Sequence, residues 1–353
     1  MLKTLDIKNF TCFPEAKLEF SPGLNVIVGE NGTGKSHLLK LGYAVLRALS
    51  WPDASFAKEV FARDFARHLI AVFKSDSLGR LPSRVWGHSK CHIRVEIRKR
   101  KKGEKDLRGF TCSFSPRNTD LVNIESLNFE YTLSPTLFIP AKEILSVFPG
   151  FHHALENREL HFDATYLDLA KALAARPLKG PRLSHIAQYL NPLEDVLGGY
   201  VALENGAFYF HSTQTKPVSK KLEAQLMAEG HRKLGMLMHL LKTGGVAKSS
   251  SLFWDEPEAN LNPKLIKKLA KILIELASIM QITIATHSLF LVRELEILQE
   301  NKQLKNARYF GLHFNEDGSS VNVTQGDSPS HIGDIAALDE EIGQSSRYLS
   351  MGE

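Results

Sequence analysis

Apolar and polar residues alternate over residues 2–9, break at Phe13-Pro14 and resume over 17–20, so the chain opens as two strands joined by a turn. Residues 23–28 form an apolar strand that runs straight into the glycine-rich stretch Gly29-Glu30-Asn31-Gly32-Thr33-Gly34. From 36 to 49 the apolar residues Leu38, Leu39, Leu41, Val45, Leu46 and Leu49 recur at helical spacing. The opening therefore reads strand, glycine turn, helix.

Further along, the pattern predicts a helix over 53–75 and two strands within 91–115 around the polar turn Lys102-Gly103-Glu104-Lys105. A short strand over 137–139 is closed by Pro140, helices cover 163–175 and 182–190, and Asn205-Gly206 marks a hairpin. Then come a helix over 220–241, a buried strand over 251–254, a helix over 263–280 and a strand over 282–285. The tail from Arg308 gives a hairpin around Glu316-Asp317-Gly318 and an amphipathic helix over 332–348. There is no repeat of fixed period and no sustained heptad run, which excludes long coiled-coil arms.

Composition adds little beyond exclusions. At 353 residues, 43% apolar and 24% charged, the chain has globular averages. Its apolar runs, such as 251–254 and 282–285, fall far short of the roughly 20 residues that cross a bilayer. With no secretory signal pattern at the N-terminus either, a cytoplasmic protein with no membrane contact is expected. Cys12, Cys91 and Cys112 are scattered, without a disulfide framework or zinc spacing. Likewise, His152, His153 and His161 lack the spacing of a metal site. A net charge of +5 permits a DNA partner without arguing for one.

The candidate chemistry begins at Gly29–Ser36, where G-E-N-G-T-G-K-S matches the phosphate-loop pattern G-x-x-x-x-G-K-[ST] in full. Glycines let the backbone N–H groups of Gly29, Glu30, Asn31, Gly32, Thr33 and Gly34 wrap phosphate oxygens. Lys35 reaches the β- and γ-phosphates, Ser36 offers a hydroxyl to Mg²⁺, and the helix N-terminus adds its positive end. Near the other end, the strand over 251–254 leads into Asp255-Glu256. An aspartate there suits the Mg²⁺ shell, and the adjacent glutamate suits orienting and polarising the attacking water. His287, after the strand over 282–285, is placed to contact the γ-phosphate. ATP and Mg²⁺ are thus the expected cofactors.

The order of phosphate loop, Asp255-Glu256 followed by Pro257-Glu258-Ala259-Asn260-Leu261-Asn262-Pro263, and switch histidine resembles the ABC-type ATPase heads of the RecF, SMC and OLD groups, among them the small AAA ATPases of bacterial anti-phage defence operons. The resemblance covers residues 1–50 and 220–300 well and the middle only loosely. It implies an α/β P-loop NTPase head, with a mixed N-terminal β-sheet and a parallel core sheet flanked by helices, an inserted α/β region, and no coiled-coil arms. The head would comprise 1–50 and 220–353, and the insertion 51–219, with a basic hairpin at about 91–115 and a helical lobe at about 150–200.

The resemblance further implies an ATP hydrolase that dimerises on ATP. The loop after Asp255-Glu256 would cross the dimer interface, and Gly230 of Ala228-Glu229-Gly230-His231 would approach the γ-phosphate on the opposite subunit. The transporter signature LSGGQ is absent, and Glu229 stands where the family has a small residue. Pro140-Ala141-Lys142-Glu143 resembles a motif of the arm-less members, with Lys142 or Glu143 near the metal, and Phe10 to Phe13 occupies the place of the hairpin that meets adenine or ribose, with Phe13 itself expected in the core rather than stacked on a base. Arg94, Arg98, Lys99, Arg100, Lys101, Lys102, Lys105 and Arg108 gather on the basic hairpin, a feasible DNA contact. The segment after His287 lacks a nuclease's paired-aspartate strand end, so cutting would need a separate effector encoded nearby. Control of such an effector in anti-phage defence is one expectation; DNA repair of the RecF kind is the alternative, and a transporter subunit is the least favoured.

Overall fold

β1 (Leu2–Phe10) and β2 (Phe13–Glu19) form an antiparallel hairpin whose inward residues Leu5, Ile7, Phe10 and Leu18 are fully buried. The structure is a computed structural model that describes residues 1–50, 56–83, 89–98, 108–129, 133–157, 159–181, 186–214 and 220–333, with 343–344, 347–348 and 350 of the tail. β3 (Leu24–Gly29) leaves the hairpin for a second sheet and is buried at every position. A run of Leu, Val and Ile is what a strand covered on both faces needs. α1 (Lys35–Ala48) follows, and α2 (Lys58–Phe73) packs beside it, with Phe73 edge-on to His37 and His68 against Tyr43.

β4 (Cys91–Ile97), β5 (Arg108–Phe114) and β6 (Asn123–Asn128) extend the first hairpin into an antiparallel sheet of order β2-β1-β4-β5-β6. β7 (Thr136–Ile139) instead joins the second sheet. The region expected as an insertion thus supplies strands to both sheets. Its remainder is α3 (Phe148–Glu156), α4 (Ala164–Ala174), α5 (Ala187–Leu197) and a small sheet of β8 (Gly199–Glu204), β9 (Ala207–Ser212) and β10 (Lys221–Glu223). α6 (Glu229–Thr243) leads to β11 (Ser251–Asp255), α7 (Pro263–Ala277), β12 (Gln281–Thr286), α8 (Leu289–Glu300), β13 (Ala307–Phe314) and β14 (Val321–Gly326).

The second sheet has the order β14-β13-β3-β12-β11-β7 and is parallel throughout except for β14. α1 lies between the two sheets, which explains its burial around almost the whole circumference. A Cβ on Gly42 of this helix would lie 2.8 Å from the Phe253 ring, so glycine is what lets α1 settle onto β11. Register then fixes the functional end. Asp255 pairs with Ala285, Ala285 with Ile27, and Thr286 with Val28, which brings the carboxyl ends of three adjacent parallel strands level. Ligands of α/β sheets bind at that edge.

Several sequence readings shift. The helix expected over 220–241 begins only at Glu229, because Leu222 pairs with Phe210 in β10 and a 3-10 turn over Ala224–Leu226 intervenes. The helix expected to Met280 stops at Ala277. β6 and α3 carry no clean periodicity and were not legible. The polar turn at 102–105, Lys99 to Lys102, the start of the helix over 182–190 and most of the helix over 332–348 lie outside the described residues. Among the described residues the longest helix, α2, has 16 residues, in keeping with the absence of arms.

Candidate nucleotide site

The loop between β3 and α1 is built by two glycines in the left-handed region, Gly32 at φ 87° and Gly34 at φ 84°. At Gly34 a side chain is excluded twice over, since a Cβ would meet Cys12 Sγ at 2.6 Å and the Phe13 ring at 2.9 Å. Phe10 and Phe13 are themselves fully buried. Phe13 packs against the loop at Gly34, Phe10 packs against Phe73 of α2, and neither is exposed for stacking on a base. Gly34 caps α1, whose first N–H groups therefore open towards the loop.

Lys35, almost fully buried, donates from Nζ to the carbonyls of Gly29 and Glu30, both at 2.8 Å. Burial lowers its pKa, and the carboxylates of Glu256, Asp255, Glu258 and Glu30 act in opposition. Ser36 Oγ donates to Asp255 Oδ2 at 2.7 Å. Burial raises the pKa of Asp255, while the Ser36 hydrogen bond acts to lower it. A hydroxyl and a carboxylate this close are hard oxygen donors of the kind Mg²⁺ takes. Both face the end of the loop.

Glu256 adopts φ 44°, a left-handed conformation unusual outside glycine. Its N–H donates to Ala285 O at 2.9 Å, and its carboxylate Oε1 lies 2.9 Å from His287 Nδ1. Two residues on, buried Glu258 accepts a hydrogen bond from the Thr286 hydroxyl, which in turn accepts from the Ser288 N–H at 3.0 Å. Alternate residues after β11, Glu256 and Glu258, are thus latched to the consecutive residues His287 and Thr286 at the end of β12.

A family model described as "AAA domain, putative AbiEii toxin, Type IV TA system" matches residues 113–293, slightly more than half of the chain, and one described as "AAA domain" matches 4–147. The chain belongs to this AAA family. The family is one of ATPase domains, and the fold is that of an Smc-type ATPase head. Short stretches are similar to curated repair proteins: 50% identity over 40 residues to a DNA double-strand break repair Rad50 ATPase of Archaeoglobus fulgidus, covering 11% of this chain and 4% of that protein. A DNA repair protein RecN of Rickettsia bellii shares 36% over 78 residues, covering 22% of this chain and 14% of that one. The chain thus spans only a small part of the length of these relatives. Two solved structures share the fold: an Smc head bound to the C-winged helix domain of ScpA (14% identity, TM-score 0.56, 92% of this chain and 98% of that one), and an Smc head with an extended coiled coil from Pyrococcus furiosus (13%, 0.52, 98% and 99%).

In this AAA ATPase Gly230 lies in the first turn of α6, where a Cβ would meet Leu261 Cδ2 at 2.6 Å and Asn260 O at 2.8 Å. Asn260, at φ 64°, donates from Nδ2 to Glu229 Oε1 at 2.7 Å. Glu229, the departure from the small residue of the resemblance, therefore holds the loop after β11. Glu143 accepts from Arg232 Nε and from Ser146 Oγ, both at 2.6 Å, so its partner is α6. Lys142 is exposed.

Sequence reasoning missed three features. Lys40 of α1 pairs with Asp163 at 2.7 Å, while Tyr43 and Arg47 on the same helix both donate to Asp168, tying α4 to the phosphate-loop helix. Lys233 is fully buried behind Glu256. His152, His153 and Glu156 bring ligand atoms within 4.8 Å of one another on one turn of α3, a grouping that spacing did not suggest. Among the described residues no helix is long and apolar enough to cross a membrane.

Proposed function

We propose that this ATPase is a regulatory switch that dimerises on ATP and controls a separate effector, a nuclease or toxin, in anti-phage defence. The observation that carries the ATP chemistry is the Ser36–Asp255 hydrogen bond beside buried Lys35. The backbone of Gly29–Ser36 and the Lys35 ammonium bind the triphosphate, and Gly230 meets the γ-phosphate held by a second copy. Ser36 and Asp255 would hold Mg²⁺, which when bound neutralises charge on the phosphate oxygens. Glu256 orients the attacking water and accepts its proton, and His287, 2.9 Å from the Glu256 carboxylate, holds that carboxylate towards the phosphate. The family description as a putative toxin of a type IV toxin–antitoxin system points towards defence, and control of a separate effector is the step the pull-down below tests.

A second reading, DNA repair of the RecF kind, draws on the stretches shared with Rad50, RecN and RecF proteins. Pull-down from the native host with and without ATP separates the two. Co-purification of a nuclease or toxin that depends on nucleotide supports the switch; recovery of duplex DNA with replication or repair proteins, and no such effector, contradicts it.

A further inference from the structure

We infer that Lys233 is a positioning residue for Glu256, its buried ammonium holding the Glu256 carbonyl and thereby joining the turn at Gly230 to the water-orienting carboxylate of the same chain. The inference rests on the ATPase reading of the site.

Lys233 is fully buried on a helix whose neighbouring positions Leu234, Met236 and Leu237 are apolar. An ammonium is retained in such surroundings only with partners for its protons. Nζ donates to Glu256 O at 3.0 Å. Burial lowers the Lys233 pKa, and the carboxylates of Glu258, Glu229, Glu256 and Asp255 act against that shift.

Glu256 is where such a restraint has an effect. Its left-handed backbone is costly for a residue with a side chain and persists only where the surroundings over-determine it. β12 holds its N–H through Ala285, His287 holds its carboxylate, and Lys233 holds its carbonyl. The first two restraints come from the end of β12 and the residue just beyond it, the third from α6.

The Lys233 restraint comes from the helix whose first turn holds Gly230, three residues earlier. That turn is also bonded to Asn260 through Glu229 and packed on Leu261 through Gly230. The first turns of α6 and the segment from Glu256 to Leu261 are thus fastened at three points. A displacement of Gly230 on meeting a second copy's nucleotide is transmitted to Glu256 through Lys233.

The test uses the full chain and compares Lys233→Met, which keeps the apolar stem without the ammonium, with Lys233→Arg, which keeps a charged donor. Turnover, KM, affinity for a fluorescent ATP analogue and thermal midpoint are measured for each. Misplacing a catalytic group by about 1 Å costs on the order of 100-fold. Lys233→Met is expected to lose turnover on that scale with nucleotide affinity within about threefold of the parent, and Lys233→Arg to recover most of the loss. If Lys233→Met does not fold, Lys233→Gln reads the same quantities. A folded Met or Gln variant that turns over within about threefold of the parent overturns the inference alone, as does a loss of affinity and turnover together that Arg fails to restore. A parent without ATP turnover overturns the ATPase reading, and the inference with it.

Discussion

Ser36 and Asp255 are separated by 219 positions in the chain and meet through a 2.7 Å hydrogen bond. One opens the helix after β3 and the other closes β11, and the strand between them, β12, keeps the two ends level. A loop that wraps phosphates and a carboxylate that suits a divalent cation thereby become one site. The consequences of that closure can be measured.

Lys35→Ala removes the buried ammonium from the loop. Charge-assisted hydrogen bonds contribute about 1.5–3 kcal/mol each, so Kd for ATP should rise by roughly 10- to 100-fold or more, with turnover lost. Calorimetric titration of purified protein checks it; unchanged affinity and turnover would refute the role of the loop.

Glu256→Gln keeps the shape of the side chain and removes the base. Turnover should fall by roughly 10² to 10⁴-fold while nucleotide still binds, leaving an ATP-bound dimer that elutes earlier on gel filtration. Rapid hydrolysis with no shift in elution counts against both the base and the dimer.

His68, buried on α2 beside Tyr43, has its pKa lowered from 6.5 to about 4, chiefly by burial. The depressed value means the folded state favours the neutral ring and the unfolded state binds the extra proton below pH 6.5. Stability from this group is therefore present above pH 6.5 and is lost as pH falls from there towards 4, by about 2 kcal/mol between pH 7 and pH 5. Urea unfolding at the two pH values measures the difference, which should shrink in His68→Gln. An equal pH dependence in the variant rules the residue out.

Trp254 is fully buried in β11, one residue before Asp255. Trp254→Ala should cost about 3–5 kcal/mol of stability and disturb the carboxylate it precedes. Denaturant unfolding that shows less than about 1 kcal/mol would mean the core closes over the cavity.

What the sequence made legible was local. Gly29–Ser36 and the Asp255-Glu256 strand end are short patterns whose chemistry is written in consecutive residues, and the apolar runs of β3, β11 and β12 announce strands, their parallel pairing being what the family resemblance implied. Lys233 could not be found this way. It stands in His231-Arg232-Lys233, which looks like an ordinary polar helix start, and only the packing of α6 behind Glu256 takes it out of solvent. The partner of Glu143 was out of reach for a related reason, Arg232 being 89 positions away on another element. β10 was read as helix because three residues are too few to show a period, and its pairing with Tyr209–His211 decided the outcome.

The most direct measurement is a crystal structure of Glu256→Gln with ATP and Mg²⁺. The triphosphate is predicted along Gly29–Ser36, with the γ-phosphate within hydrogen-bond reach of Lys35 Nζ and the metal held by Ser36 beside Asp255. Density for the triphosphate elsewhere on the protein, or a metal with no contact to either residue, would contradict the account.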